Sequence, residues 1–217
     1  MNNMLPRLQY ISQGSTPEIQ VRHIREALDA GCTWIQLRMK QATAGDLLTT
    51  AQQVRELCIT YNAIFIINDH PAIAAAVGAD GVHLGLTDMP VSEARAVVGK
   101  EKIIGGTANT LADVIQRYEE GCDYAGVGPF RFTTTKEKLS PILGVAGYQQ
   151  ILEAMAEAGI SMPLIAIGGI TPADVAGLVE TGVHGIAVSG LITHNDHKKQ
   201  IVQQLNNQLY ATTFHKG

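Results

Sequence analysis

An amide and two cations stand at alternate positions in one short segment of the chain. Gln36, Arg38 and Lys40 are separated by single apolar residues and follow a largely apolar run. Alternate residues of a β-strand project to the same side, so the pattern predicts that the three side chains share one face. Such a group suits an anionic ligand such as a diphosphate, because burying cations without a counter-charge is costly. The alternative, in which they are solvated at the start of a loop, stays open.

Acidic residues follow two further apolar segments. Asp69 comes directly after Asn68 at the end of one segment, and Asp88 follows the next. Mg²⁺ favours one or two carboxylates, with water and substrate phosphate oxygens as its remaining ligands. Each aspartate also lies two residues before a proline, Pro71 or Pro90, and could instead cap the helix that begins there. The nearby cations favour the magnesium interpretation, because metal and cations would then bind one pyrophosphate together.

Two further groups of residues suit anion binding. Thr133 and Thr135 can donate hydrogen bonds to phosphate oxygens, and Lys136 can neutralise charge on a leaving group, although an ordinary surface loop has a similar composition. The last two apolar segments end in small residues that let a phosphate approach the backbone N–H groups, namely Gly168, Gly169, Ser189 and Gly190. We therefore expect two anion sites and two phosphorylated small-molecule substrates.

These residues meet only if the segments before them are neighbouring strands. Short apolar segments rich in β-formers alternate with segments of helical periodicity, at residues 8–12, 33–39, 64–68, 81–84, 103–107, 124–128, 164–168 and 185–189. The pattern predicts a single-domain (β/α)₈ TIM barrel over residues 1–217, with the carboxyl ends of all strands at one mouth. An open doubly wound sheet is the alternative, but no segment has the character of an edge strand.

Composition excludes several classes of partner and site. Hydrophobic residues make up 46% of the chain and charged residues 17%, which is enough to build a core and too little charge for disorder. The net charge of -4, with no basic run longer than Lys198-Lys199, argues against nucleic acid. Because the sequence shows neither a signal peptide nor a membrane span, we expect a cytoplasmic protein. Cys32, Cys58 and Cys122 lack the spacing of a disulfide framework or zinc site.

The motifs at the predicted mouth are common one by one, but their order and spacing are specific. They are Gln36-Leu37-Arg38-Met39-Lys40, Asn68-Asp69, His83-Leu84-Gly85 with Asp88, Thr107, Thr133-Thr134-Thr135-Lys136, Gly168-Gly169 and Ser189-Gly190. In this arrangement the chain resembles the thiamine-phosphate synthase family over nearly its whole length. The resemblance implies an enzyme that condenses hydroxymethylpyrimidine diphosphate with a thiazole phosphate, with Mg²⁺ as cofactor.

The resemblance also implies roles for individual residues. Catalytic stabilisation of the departing pyrophosphate would fall to Arg38, Lys40 and Lys136. Asp69 and Asp88 would hold Mg²⁺. The remaining substrate ligands would be Asn68 for the diphosphate, Gln36 and Thr107 near the pyrimidine, and Thr133, Thr135, Gly169, Ser189 and Gly190 for the thiazole phosphate. In the family the carbon–oxygen bond to pyrophosphate breaks first, which requires leaving-group stabilisation and proximity but no general base.

Some positions depart from the family's usual residues. Leu86 stands where glutamine is common, which removes a polar neighbour of the expected metal. Thr107 stands where serine is commoner, the stretch 107–110 replaces one that often contains histidine, and Arg131-Phe132 replaces the usual residue and proline before the loop threonines.

Other functions stay open at this point. A thiazole tautomerase-like barrel would bind the thiazole phosphate and only move a proton, and a non-catalytic thiamine-precursor binding protein would need the backbone phosphate site alone. An isomerase barrel of amino acid biosynthesis would need a placed acid and base. The sequence leaves the oligomeric state open, including a homo-oligomer.

Overall fold

The computed structural model describes residues 5–132 and 141–211, in which parallel strands close into a barrel. Each strand pairs with the next along the chain, and the last pairs with the first. This closed order confirms the predicted barrel and rules out the open sheet. The strands are β1 (Leu8–Ile11), β2 (Trp34–Leu37), β3 (Ile64–Asn68), β4 (Gly81–Leu84), β5 (Ile103–Ala108), β6 (Tyr124–Val127), β7 (Leu164–Ile167) and β8 (Gly185–Val188).

The helices surround the barrel, and capping residues in the sequence mark where two of them begin. Thr16 caps the first helix, and Thr110 forms a capping box with Asp113 at the fifth. No helix within 5–132 and 141–211 is long and apolar enough to cross a bilayer. The helices are α1 (Pro17–Asp29), α2 (Ala44–Thr60), α3 (Pro71–Ala76), α4 (Val91–Val98), α5 (Leu111–Glu119), α6 (Gly144–Glu157), α7 (Val175–Thr181), α8 (Gly190–Thr193) and α9 (Lys198–Ala211).

Strand β2 is shorter than its sequence pattern predicts. The apolar alternation continues to residue 39, but the strand ends at Leu37. The N–H of Arg38 donates to the side-chain hydroxyl of Ser12 at 3.0 Å, so a side chain takes the place of a ladder carbonyl there. Arg38 and Lys40 therefore lie in the loop after the strand, at the mouth of the barrel.

The inside of the barrel is packed with large side chains. Trp34, Ile66, Tyr124 and Ile165 form one buried cluster there, and the rings of Trp34 and Tyr124 meet edge to face with centroids 5.0 Å apart. A separate, larger cluster fills the space between the strands and the helices. Because a filled barrel has no through-channel, a ligand can reach the strands only at an open end.

Gly105 on β5 makes room for this interior packing. A Cβ atom built on Gly105 would lie 2.1 Å from Cζ of Tyr124, well inside van der Waals contact. The large ring therefore depends on the absence of a side chain on the neighbouring strand.

We expect Gly105→Ala to lower the free energy of unfolding by about 1–3 kcal/mol, because the added methyl group must displace the buried Tyr124 ring. The matched control is Gly45→Ala in α2, where the nearest atom to the added Cβ would be 3.8 Å away. That variant should be as stable as the parent protein or gain up to about 1 kcal/mol. Urea unfolding measures both, and equal midpoints for the two variants would contradict the packing argument.

Candidate active site

An amide pair lies at the carboxyl ends of β2 and β3. Gln36 is 2% exposed, and its Nε2 donates to Oδ1 of Asn68 at 2.7 Å. The Oε1 atom of Gln36 is buried and accepts no hydrogen bond from any residue that the structure describes. Leaving a buried acceptor unpaired costs about 1–3 kcal/mol. The predicted substrate-binding position of Gln36 thus offers a buried acceptor for a donor group of a ligand.

Two carboxyl groups lie side by side where β3 and β4 end. Asp69 has a φ of 65°, which is uncommon for a residue with a side chain, and its N–H donates to the carbonyl of His83 at 2.8 Å. Burial raises the pKa of Asp69 to about 6, helped by a hydrogen bond with Asp88 and by the negative charge of Asp88. The sequence-predicted pair of carboxylates is therefore adjacent in space.

Neither aspartate is the N-cap residue of the helix that follows it. The N-cap of α3 is His70 and that of α4 is Pro90, and neither makes a side-chain capping bond. Asp88 instead accepts the N–H of Gly85 at 2.5 Å, within its own loop. The capping explanation for the two acidic residues therefore does not hold.

The two predicted cations lie on the same side of the mouth. Nζ of Lys40 is 4.0 Å from Oδ2 of Asp69, and both Lys40 and Arg38 oppose the rise in the pKa of Asp69 by their positive charge. The Lys40 side chain is 57% exposed, so it is solvated as well as close to the carboxylates. Both cations are thus placed to meet an anion that approaches the acidic pair.

The predicted residue Thr107 belongs to a polar group whose other members the sequence analysis did not place at the site. Nε2 of His83 lies 3.1 Å from the hydroxyl oxygen of Thr107, and Nδ1 of His83 lies 3.0 Å from the hydroxyl oxygen of Tyr124. Gln9 donates to the same Tyr124 hydroxyl at 3.2 Å. Strand alternation could have identified His83, because it lies two residues after Gly81 and so on the same face of an otherwise apolar strand.

Arg117 of α5 is a second residue that the sequence did not single out. It is 3% exposed; its Nε donates to the carbonyl of Thr107 at 3.1 Å and its Nη2 to the carbonyl of Gly85 at 2.9 Å. Glu120 pairs with the same guanidinium at 2.7 Å. Arg117 therefore ties the carboxyl ends of β4 and β5 together. The sequence could have indicated Arg117, because it is a charged residue on the buried face of an amphipathic helix.

The predicted backbone phosphate site lies at the ends of β7 and β8. Gly168 and Gly169 have φ values of 101° and 70°, which only glycine adopts readily, and Ser189 precedes the first turn of α8 at Gly190. The first N–H groups of a helix have no partner inside it. Backbone donors are therefore available on this side of the mouth.

Arg131, one of the positions that departs from the family pattern, packs beside these glycines. Its Nη1 donates to the carbonyl of Gly169 at 2.9 Å, and its guanidinium forms two hydrogen bonds with Asp174 at 2.9 and 3.0 Å. The arginine thus fixes the loop after β7 against the loop after β6.

Three predicted site residues, Thr133, Thr135 and Lys136, lie outside the described residues. Within residues 5–132 and 141–211, no group of three or more His, Cys, Asp and Glu side chains could hold a metal ion. Asp69 and Asp88 are two candidate carboxylate ligands, fewer than such a group contains.

Comparison with known proteins gives the family. A sequence model described as thiamine monophosphate synthase matches residues 9–192. Thiamine-phosphate synthase of Flavobacterium johnsoniae is 57% identical over 208 residues, covering 96% of this chain and 98% of that protein. That of Flavobacterium psychrophilum is 51% identical over 206 residues, covering 95% and 100%. Among solved structures, thiamine phosphate pyrophosphorylase from Pyrococcus furiosus superposes with a TM-score of 0.81 at 30% identity, covering 94% and 95%.

We expect Asp69→Asn to stabilise the ligand-free protein at pH 8 but not at pH 4. The pKa of Asp69 is raised from 3.8 to about 6 on folding, so its contribution to stability is present at low pH and is lost as the pH rises through about 6. Asparagine resembles the protonated carboxyl group and tolerates a positive φ. After allowance for partial solvent access, the gain at pH 8 is on the order of 1 kcal/mol.

Urea unfolding in the presence of EDTA at several pH values measures this difference. Asp196→Asn provides the control, since it makes the same substitution at an exposed position outside the acidic pair and should not reproduce the gain at pH 8. A loss of stability in Asp69→Asn at pH 8 would show that the acidic pair is not repulsive.

Proposed function

This chain belongs to the thiamine monophosphate synthase family and is a transferase of thiamine biosynthesis, and we propose that it joins hydroxymethylpyrimidine diphosphate to a thiazole phosphate with release of pyrophosphate. One observation carries the choice of a diphosphate substrate. The carboxyl groups of Asp69 and Asp88 lie together at the mouth, with the cations of Arg38 and Lys40 beside them. A barrel that only bound a thiazole phosphate would have no use for this group.

The diphosphate is assigned to the side of the mouth formed by β2 and β3. Arg38 and Lys40 neutralise its phosphate oxygens. Asn68, which accepts a hydrogen bond from Gln36 on the neighbouring strand, also binds the diphosphate. Lys136, which the family resemblance adds, would place a further cation on the same leaving group. As negative charge accumulates on the departing pyrophosphate, these cations stabilise it.

The acidic pair fits a resident magnesium ion by the chemistry of its donors. Asp69 and Asp88 supply two adjacent carboxylates, which is the number that Mg²⁺ takes when a phosphate group and water complete its coordination. When bound there, Mg²⁺ would neutralise charge on the diphosphate. The carboxylates themselves position the cation, and Lys40 limits their mutual repulsion.

The carbon–oxygen bond of the pyrimidine diphosphate breaks first in this mechanism, and its electron pair leaves with pyrophosphate. The thiazole nitrogen then donates its lone pair to the resulting pyrimidine cation and forms the new carbon–nitrogen bond, and a carboxylated thiazole loses carbon dioxide. Gln36 and Thr107 orient the pyrimidine, so the two reacting atoms are held close without a general base.

The thiazole phosphate is assigned to the opposite side, at the ends of β7 and β8. Gly169, Ser189 and Gly190 would bind its phosphate through backbone N–H groups, since the glycines leave space for a close approach. Thr133 and Thr135 would add hydroxyl donors from the loop after β6. Two separate anion sites on one mouth bring the nitrogen nucleophile and the reacting carbon together.

We expect the purified protein to release pyrophosphate only when both phosphorylated precursors and Mg²⁺ are present. A tautomerase-like barrel or a precursor-binding protein would release none, so this measurement separates the three functions. Asp69→Asn should lower kcat by on the order of 100-fold at pH 8, because the cation loses a charged ligand. The same variant should remain folded, which distinguishes loss of function from loss of structure. A near-native kcat for it would contradict the assigned role.

Lys136→Ala should lower kcat by on the order of 100-fold, because one preorganised charge on the leaving group is removed. Its matched control is Lys199→Ala on α9, an exposed lysine outside the mouth, which should keep the parent turnover. Steady-state kinetics with both substrates measure the two variants. Equal rates for them would remove Lys136 from the mechanism.

A further inference from the structure

A chain of four polar side chains runs through the otherwise apolar inside of the barrel. It begins at Gln9 on β1, passes through the hydroxyl of Tyr124 and the ring of His83, and ends at the hydroxyl of Thr107 at the mouth. The three steps measure 3.2, 3.0 and 3.1 Å. We call these four residues the interior polar chain.

Glycines on the neighbouring strands make room for the two rings of this chain. A Cβ atom on Gly105 would lie 2.1 Å from the Tyr124 ring, and one on Gly126 would lie 3.1 Å from Cε1 of His83. Buried polar groups are costly unless they are fully paired, and an apolar pair of rings would fill the same space. The retained polarity therefore calls for an explanation beyond packing.

The donor at Gln9 sets the direction of the hydrogen bonds in the interior polar chain. Nε2 of Gln9 is a donor, so the oxygen of Tyr124 accepts there. Tyr124 is fully buried, and Nδ1 of His83 is the acceptor within reach of its proton among residues 5–132 and 141–211. Nδ1 of His83 therefore accepts the proton of Tyr124, and the ring donates from Nε2 to Thr107.

The direction fixes what Thr107 offers to a ligand. Since Nε2–H of His83 donates to the oxygen of Thr107, the proton of the threonine hydroxyl points away from His83. Thr107 is half-buried at the end of β5, and its carbonyl is held by Arg117. Its hydroxyl proton can thus be donated to a group that enters the mouth.

We propose that His83 and Tyr124 are positioning residues, which hold the Thr107 hydroxyl as a hydrogen-bond donor toward an acceptor atom of the substrate. This inference rests on the proposed function, in which the acceptor is an unprotonated ring nitrogen of the pyrimidine. Oε1 of Gln36, on β2, is a buried acceptor, so the mouth presents one donor and one acceptor. That combination matches a ring nitrogen next to an amino group.

Tyr124→Phe tests the positioning role, because it keeps the ring and removes the hydroxyl. The KM for the pyrimidine diphosphate should rise about tenfold, because the loss of one buried hydrogen bond weakens binding by about that factor. The KM for the thiazole phosphate should stay the same. The matched control is Tyr148→Phe, which removes a buried hydroxyl that donates to the carbonyl of Val127 outside the interior polar chain. It should lower stability without the selective rise in KM. An equal rise in KM for both variants would overturn the proposal.

A double-mutant cycle shows whether Tyr124 acts through Thr107. Thr107→Val alone should raise the same KM, Thr107→Ser should restore it, and adding Tyr124→Phe to Thr107→Val should change nothing further. Additive losses in the double variant would overturn the proposal.

Nitrogen-15 NMR of the ligand-free protein tests the direction of the chain without any turnover. The signal of His83, assigned by its loss in His83→Gln, should show the proton on Nε2, and Tyr124→Phe should give a mixture of tautomers. A proton on Nδ1 in the parent protein would overturn the inference even if the enzyme is active. Absence of pyrophosphate release with this NMR result intact would instead overturn the proposed function.

Discussion

Burial of Asp69 beside Asp88 is the constraint around which the mouth of the barrel is arranged. Burial and the neighbouring charge both disfavour ionised Asp69, whose backbone also has a φ of 65°. Each feature costs free energy in the ligand-free protein. Lys40, 4.0 Å away and largely exposed, offsets only part of that cost. The cation and the diphosphate of the proposed function would offset the rest of that cost.

The barrel supports this arrangement by separating apolar and polar layers. Trp34, Ile66 and Ile165 fill the inside, whereas Gln36, Asn68 and Thr107 emerge where the strands end. Arg117, on a helix outside the sheet, stabilises the same region, since its buried guanidinium donates to carbonyls at the ends of two neighbouring strands. Groups that meet a ligand are therefore held by packed strands and by a buried ion pair rather than by loops alone.

Much of the fold was predictable because parallel strands buried on both faces leave a strong sequence signal. All eight apolar segments became strands, and Asn68, Asp69 and Asp88 came together because the strands before them are neighbours. The end of β2 was not predictable, since it depends on the hydroxyl of Ser12, which directly follows β1. The capping alternative for the aspartates was also decided only in three dimensions, where His70 and Pro90 occupy the N-cap positions.

The sequence by itself determined the barrel, its strand order and the set of charged residues at its mouth, because periodicity and strand-end position are local properties of the chain. Only the tertiary structure decided which of these residues touch. The chain from Gln9 through Tyr124 and His83 to Thr107 joins strands that are far apart in sequence. Their hydrogen bonds depend on closure of the barrel, which sets distances of about 3 Å that no local pattern encodes.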